Sequence, residues 1–291
     1  MILITGATGT IGSALLTHLV ADGVEVRATT RDPANTTFPA GVEAVHVDYR
    51  DPSTFAPAMA GVDAAFLNGL PGPDDTGVDA ALIEAARAAG VRRVVKLSII
   101  GAGDPRLGAP GRWHVPGEDA VRVCGLEWTI LRPNTFASNT VSWSEPLRTG
   151  MPVPNLTGEG RQAVVDPRDV AEVAAAALRS GAHHGRTYTL TGPILQTARE
   201  QATVLSEVLG RPIALTDIAE ADAADFMRSA GLSPAFVEAA ANGQSFIRAG
   251  HNELITDDIT RVLGRPPRSY ATWAADHRAA FLPVATAPER N

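Results

Sequence analysis

Residues 2–12 read Ile-Leu-Ile-Thr-Gly-Ala-Thr-Gly-Thr-Ile-Gly, and this stretch decides the fold. A buried-strand run over 1–5 turns into Gly6, Gly9 and Gly12, and an apolar helix follows over 10–21. A G-x-x-G-x-x-G spacing at a strand–turn–helix junction reads as a dinucleotide-binding turn. The first glycine permits the tight turn. The second lets backbone N–H groups approach a pyrophosphate, and the third lets helix and strand pack closely. Thr8, Thr10 and Ile11 complete the loop. The helix N-terminus points free N–H groups and partial positive charge at the phosphates.

The second strand, 24–29, ends in Thr30-Arg31-Asp32-Pro33. An acidic residue at this place binds the ribose 2′-hydroxyl of NAD. Here the guanidinium of Arg31, preceded by Thr30, suits a 2′-phosphate by charge and by its bidentate fork, so NADP(H) is the expected cofactor. The competing reading is a solvated arginine, with Asp32 as a turn or helix cap. A third strand, 43–47, leads to Asp48, which either touches the adenine or caps the next helix. Asn68, Gly69, Leu97 and Pro133, at or near later strand ends, complete the expected cofactor contacts.

Strand-like segments at 1–5, 24–29, 43–47, 63–67, 92–98 and 127–131 alternate with helical ones at 10–21, 52–60, 76–89 and about 112–124. That alternation predicts an α/β fold, a Rossmann-type doubly wound parallel sheet. Cofactor and substrate then lie beyond the carboxyl ends of the strands. The Gly-Leu-Pro-Gly-Pro run at 69–73 reads as a loop along the cofactor, and Gly101 to Gly111 as a mobile loop over the site. Further on, a strand is expected at 162–165, a helix at 170–179 capped by Asp169, and a strand at 187–190. Helices follow near 198–209, 219–230 and 234–242, with one more in the tail from 256 to 281. The expected division is a cofactor domain over 1–155, with returns at 162–192, and a smaller, mostly helical substrate lobe over 193–291.

Composition narrows the function classes. The chain has 291 residues and a formal net charge of -7 without a basic stripe, so nucleic acid is not an expected partner. Cys124 is the only cysteine and no apolar stretch reaches membrane-spanning length, which fits a cytoplasmic protein with no membrane contact. No metal-ligand spacing is present. The oligomeric state is open, a dimer among the options.

Several segments together resemble the NmrA-like branch of the atypical short-chain dehydrogenases. They are Gly-Ala-Thr-Gly-Thr-Ile-Gly at 6–12, Thr-Arg-Asp-Pro at 30–33, Val-Val-Lys-Leu-Ser at 94–98, His114 to Glu118 and Gly-Leu-Glu-Trp-Thr-Ile-Leu-Arg-Pro at 125–133. Val-Asp-Pro-Arg-Asp-Val-Ala at 165–171, Thr-Tyr-Thr-Leu-Thr-Gly-Pro at 187–193 and Gly-Arg-Pro-Pro-Arg at 264–268 extend the match over nearly the whole chain. The resemblance implies an NADP(H)-binding fold shared by working reductases and by non-catalytic redox sensors.

The wider superfamily reduces carbonyls with a Tyr-x-x-x-Lys pair and a nearby serine. The only lysine here is Lys96, with Arg92 four positions earlier, so that pair does not exist. Spacing against the family puts His114 at the lysine position and Pro110 at the tyrosine position. His114 is therefore the candidate proton donor, because an imidazole titrates near neutrality. Some family reductases that cleave benzylic ethers carry a single lysine at this place. Glu118, one turn on, would orient His114 and favour the imidazolium. The alternative is a surface His114–Glu118 ion pair. Ser98 ends the fifth strand near the superfamily serine and would bond a substrate carbonyl or serve the strand end. Asn134, Phe136, Asn139 and Trp143, with Trp113, Met151, Phe226 and Phe246, would make a flat apolar pocket for a small aromatic substrate. The expected function is NADPH-dependent reduction of a quinone or ketone on a bulky aromatic compound in secondary metabolism, against an NADP(H)-sensing regulator acting through a protein partner. An isomerase or ether reductase is a third reading.

Overall fold

The computed structural model describes residues 1–69 and 77–282, so most of the 69–73 loop expected along the cofactor lies outside the described residues. Nine strands form among them: β1 (Ile2–Ile4), β2 (Val26–Thr30), β3 (Glu43–His46), β4 (Ala64–Leu67), β5 (Arg93–Leu97), β6 (Glu127–Pro133), β7 (Val153–Asn155), β8 (Arg186–Leu190) and β9 (Leu215–Asp217). Seven make one sheet in the order β3-β2-β1-β4-β5-β6-β8, every neighbouring pair parallel. The strand order reverses between β1 and β4, and ligands of open α/β sheets bind at that switch point.

Alternation along β1 explains the layers. Ile2 and Ile4 face one core cluster and Leu3 the other, as a period of two requires. Helices α1 (Thr10–Ala21) and, later in the chain, the Ala-rich helix at 167–179 cover the first face, with Leu15, Leu19, Val170 and Ala174 buried. Helices α2 (Phe55–Met59) and α3 (Val78–Ala88) cover the second, through Phe55, Met59, Leu82 and Ile83.

The helix expected near 112–124 is two helices, α4 (Ala109–Trp113) and α5 (Val115–Val123), meeting at His114. Pro116 supplies no N–H and its ring crowds the carbonyl four residues back, which breaks the helix there. After α6 (Ser144–Thr149) comes α7 (Pro167–Arg179). Its N-cap is Asp166, whose side chain accepts from Arg168 N, and not Asp169. Asp169 is fully buried and paired with Arg265 and Arg268. Residues 162–165 make isolated bridges instead of a strand.

Beyond α8 (Ala198–Leu209) lie α9 (Ala223–Ser229), α10 (Pro234–Arg248), α11 (Asp258–Leu263) and α12 (Tyr270–Asp276). Helix α10 runs past Gly243 because Phe246 and Ile247 are buried on its last turn, and packing overrides propensity. The tail holds two helices where the sequence suggests one. Trp273 and Tyr270 of α12 pack with Leu205 and Leu209 of α8, while Ile259 of α11 joins the first core cluster. A second, two-stranded parallel sheet, β7 with β9, has no counterpart in the sequence reading. Among the described residues no helix is long and apolar enough to cross a membrane.

Candidate functional site

The turn after β1 has the shape its glycines foreshadow. Gly6 adopts φ +62°, a left-handed conformation that favours glycine. A Cβ on Gly12 would stand 2.1 Å from Gly6 O, so only glycine lets α1 sit this close to the strand. Gly9 N–H donates to Gly6 O at 2.9 Å, and Gly9, the N-cap of α1, adds no side-chain cap. Thr8, Gly9 and Thr10 are exposed while Ile11 is anchored in the core. An uncapped helix end with exposed backbone and no acidic residue in its first turn fits a dinucleotide pyrophosphate.

Arg31 is exposed just past β2, and its guanidinium makes no ion pair or hydrogen bond among the described residues. Only its carbonyl is engaged, by His46 Nδ1 at 2.9 Å. Asp32 accepts from Asn35 N and Nδ2 and closes the turn after it. Thr30 Oγ1 shares a hydrogen bond with Thr36 Oγ1 at 2.9 Å. Asp48 does not cap the following turn, since Asp51 does so through Ser53 N. The Arg50 side chain grips Asp48 and, with the Arg50 N–H, holds its carboxyl down at about 2. Asn68 packs beside Gly6, and its carbonyl accepts from the buried Tyr49 hydroxyl at 2.7 Å. Burial pushes Tyr49 up to about 12. Pro133 O accepts from Ile100 N, and Leu97 O accepts from Lys96 Nζ.

Beyond the β4, β5 and β6 ends lies a buried polar cluster. Ser98 Oγ donates to Glu118 Oε1 at 2.6 Å. Arg122 and Arg132 hold the same carboxylate at 2.6 and 2.5 Å. Burial works against the charged form of Glu118, but its bonds from Arg132, Ser98 and Arg122 prevail and lower its pKa. Glu118 therefore neither orients His114 nor forms a surface pair with it. The His114 ring is largely enclosed and its Nδ1 is buried without a partner. Burial, reinforced by the positive charge of Lys96 and only partly opposed by Glu118, pushes His114 down to about 3. Burial therefore favours the neutral imidazole over the expected imidazolium, a form that can still donate or accept a hydrogen bond.

The flat aromatic pocket is not assembled. Phe136 packs on the first core cluster, Trp143 on the cluster around Trp273, and Phe226 on a small one around Met227. Met151 and Asn139 are exposed, and Phe246 is buried against His251, with ring centroids 5.3 Å apart. Apolar side chains on separate elements each followed their nearest core, which periodicity could not foretell. Trp113 remains half-buried beside His114 at the end of α4. Asn134 is buried after β6, where its Oδ1 accepts from Asn252 Nδ2 at 2.7 Å and its own Nδ2 has no partner. The Gly101–Gly111 loop is not open: Leu107 is buried and Gly108 abuts Asn242 of α10. His183 and His184 are structural, bonding the Tyr188 hydroxyl and the Trp128 N–H.

Three residues escaped the sequence reading: Tyr49, Asn252 and Asp79. Asp79 is almost fully buried and lies 2.9 Å from Lys96 Nζ. The one available signal was the single lysine in a chain that otherwise uses arginine, placed in the middle of an apolar strand.

The NAD(P)H-binding family model matches residues 6–181. The chain is 42% identical to the (4-alkanoyl-5-oxo-2,5-dihydrofuran-3-yl)methyl phosphate reductase of Streptomyces griseus, over 97% of this chain and 100% of that one. It is 32% identical to the NAD(P)H azoreductase of Xenophilus azovorans, over 97% and 99% of the two chains. The triphenylmethane reductase of Citrobacter sp., solved with NADP(H), superimposes with a TM-score of 0.80 at 26% identity, covering 95% and 99%.

Proposed function

Since the chain belongs to the NAD(P)H-binding family and is an NmrA-like oxidoreductase, we propose that it passes hydride from NADPH to a conjugated, electron-poor acceptor, either a quinone or an alkene activated by two carbonyls. The observation that carries this reading is the enclosed His114, whose Nδ1 is buried without a partner while Glu118, the nearby carboxylate, is already taken by Ser98, Arg122 and Arg132, so no acid pair stands at the strand ends. A simple ketone becomes a strongly basic alkoxide on reduction and needs an acid in place. A conjugated acceptor spreads the incoming charge over its own carbonyl oxygens, so a neutral hydrogen-bond donor and water suffice. The 42% identical relative is named for a substrate of the second kind, a lactone alkene that also bears an alkanoyl group.

When bound, the nicotinamide supplies the hydride. The chain does the rest. Backbone N–H groups of the Gly6–Gly12 turn and the α1 N-terminus would hold the pyrophosphate, and Arg31 would meet the 2′-phosphate. Gly69, Leu97 and Pro133 would bound the nicotinamide end. Trp113, Asn134 and His114 line the acceptor side, with the His114 imidazole and the Asn134 amide donating to the acceptor oxygen. Helix α10 packs on the Gly101–Gly108 loop through Phe246 and Asn242, and Asn252, just past it, bonds Asn134, so this part of the chain would narrow the acceptor side while leaving water to supply the proton.

The test is deuteride transfer from NADPH labelled at the reactive C4 position to an alkanoyl butenolide. The expected label lies on the ring carbon of the former alkene. A label on the alkanoyl carbonyl carbon would overturn the assignment in favour of ketone reduction.

A further inference from the structure

Lys96 sits in the middle of the sheet with its side chain fully buried, and its ammonium lies 2.9 Å from Asp79 Oδ2. It also donates to Leu97 O. Asp79 Oδ1 accepts from Gly69 N at 3.0 Å, at the end of β4. Two glycines make room for this carboxylate. A Cβ on Gly69 would stand 2.5 Å from Asp79 Oδ1, and one on Gly117 of α5 would stand 2.6 Å from Asp79 Oδ2. Strand β5, the turn after β4, helix α3 and helix α5 therefore converge on one carboxylate.

We infer that the Lys96–Asp79 pair is the positioning element of the reductase site, locking the Gly69 turn and the end of β5 against the His114–Gly117 break between α4 and α5. Well-packed apolar residues would stabilise such a place at least as well, so a buried pair is poorly explained by stability alone. Lys96 is closed to solvent and touches no substrate, so its action runs through the backbone it holds and through its charge on His114. Asp79 Oδ2 receives no well-directed hydrogen bond, which leaves the pair an electrostatic tie. The charges acting on His114 are Lys96 from β5, itself paired with Asp79 of α3, and Glu118 on α5, gripped by Arg122 and by Arg132 of β6, while Arg112 of α4 is exposed. Before α4, Asp104 and Arg106 are paired with each other. On α10, Arg248 is engaged with Leu156 O and Ile218 O, and Glu238 is the remaining titratable group.

The kinetic arm of the test rests on the reductase reading, whereas the ring titration and cofactor affinity are read without turnover, so the two failures are distinguishable. In the full chain, the His114 ring followed by NMR should stay neutral down to about pH 5, against an ordinary imidazole midpoint near 6.5. The variant Lys96→Met/Asp79→Asn removes both charges and keeps an acceptor for Gly69 N. It should bind NADPH within about 3-fold of wild type, lose roughly 10-fold or more in kcat, and show an upward-moved His114 midpoint. A folded double variant with wild-type kcat and an unmoved midpoint would overturn the inference. Should that variant fail to fold, Gly117→Ala presses a methyl group on Asp79, and kcat should fall about 5-fold or more with NADPH affinity kept. Wild-type kcat in Gly117→Ala would likewise overturn it.

Discussion

Ser98 Oγ donates to Glu118 Oε1 at 2.6 Å across a separation of 20 residues, and both side chains are closed to solvent. The serine that sequence alone offers to a substrate carbonyl is thus already bound to a carboxylate. Ser98, His114 and Glu118 do not form a proton relay. Two of them bond each other, and the Nδ1 of the third is buried without a partner.

Replacing Ser98 by alanine should therefore act on stability more than on turnover. Loss of one buried bond to a charged acceptor lowers stability by roughly 1.5–3 kcal/mol, readable in urea unfolding. Turnover should stay within about 3-fold, because in this account the serine makes no contact in the transition state. A kcat loss of about 100-fold would return Ser98 to the reacting centre.

His114 sets a pH dependence whose sign can be worked out. Its folded pKa, about 3, lies below its ordinary 6.5. Between those values the unfolded chain binds the extra proton, so stability is full above pH 6.5 and is lost as pH falls towards 3. The slope is at most about 1.4 kcal/mol per pH unit. His114→Gln should flatten the stability curve in this window. A variant curve parallel to wild type would contradict the buried neutral imidazole.

Glu118 adds to acid sensitivity in a lower window. Its folded pKa is depressed, so its contribution is present above the ordinary glutamate value of 4.5 and is lost as pH falls through the folded one. Glu118→Gln should be less stable than wild type at neutral pH, with the gap narrowing as pH falls below 4.5 and towards the depressed folded value. An equal gap at both pH values would remove the charge from the explanation.

Arg31→Ala tests the 2′-phosphate assignment. NADPH affinity should fall by about 10-fold or more while NADH affinity stays within about 2-fold, as read by nucleotide fluorescence titration. Equal loss for both nucleotides would refute it.

Much of this fold was legible because its signals are local. The Gly6–Gly12 turn, the buried run of β1 and the strand–helix alternation each follow from neighbours in the chain. The Asp166 cap was missed because Asp169 offers the same side chain one turn further on, and only the pairing of Asp169 with Arg265 and Arg268 separates them. Trp143, Phe136 and Phe226 read as one pocket in sequence and fell into three cores in space. Asp79 was invisible because its partner, Lys96, is reached only through strand order. Local chemistry is written along the chain, whereas the neutrality of His114 depends on contacts that the fold assembles.

Steady-state NADPH oxidation separates conjugated from simple acceptors when quinones and an alkanoyl butenolide, bearing or lacking its phosphate, are run beside simple aryl ketones, with NADH in parallel. Conjugated acceptors should turn over, NADPH should be preferred to NADH, and rates on simple ketones should be lower by about 100-fold or more. Tight NADPH binding without oxidation by any quinone or butenolide, or faster reduction of the simple ketones, would contradict hydride transfer to a conjugated acceptor.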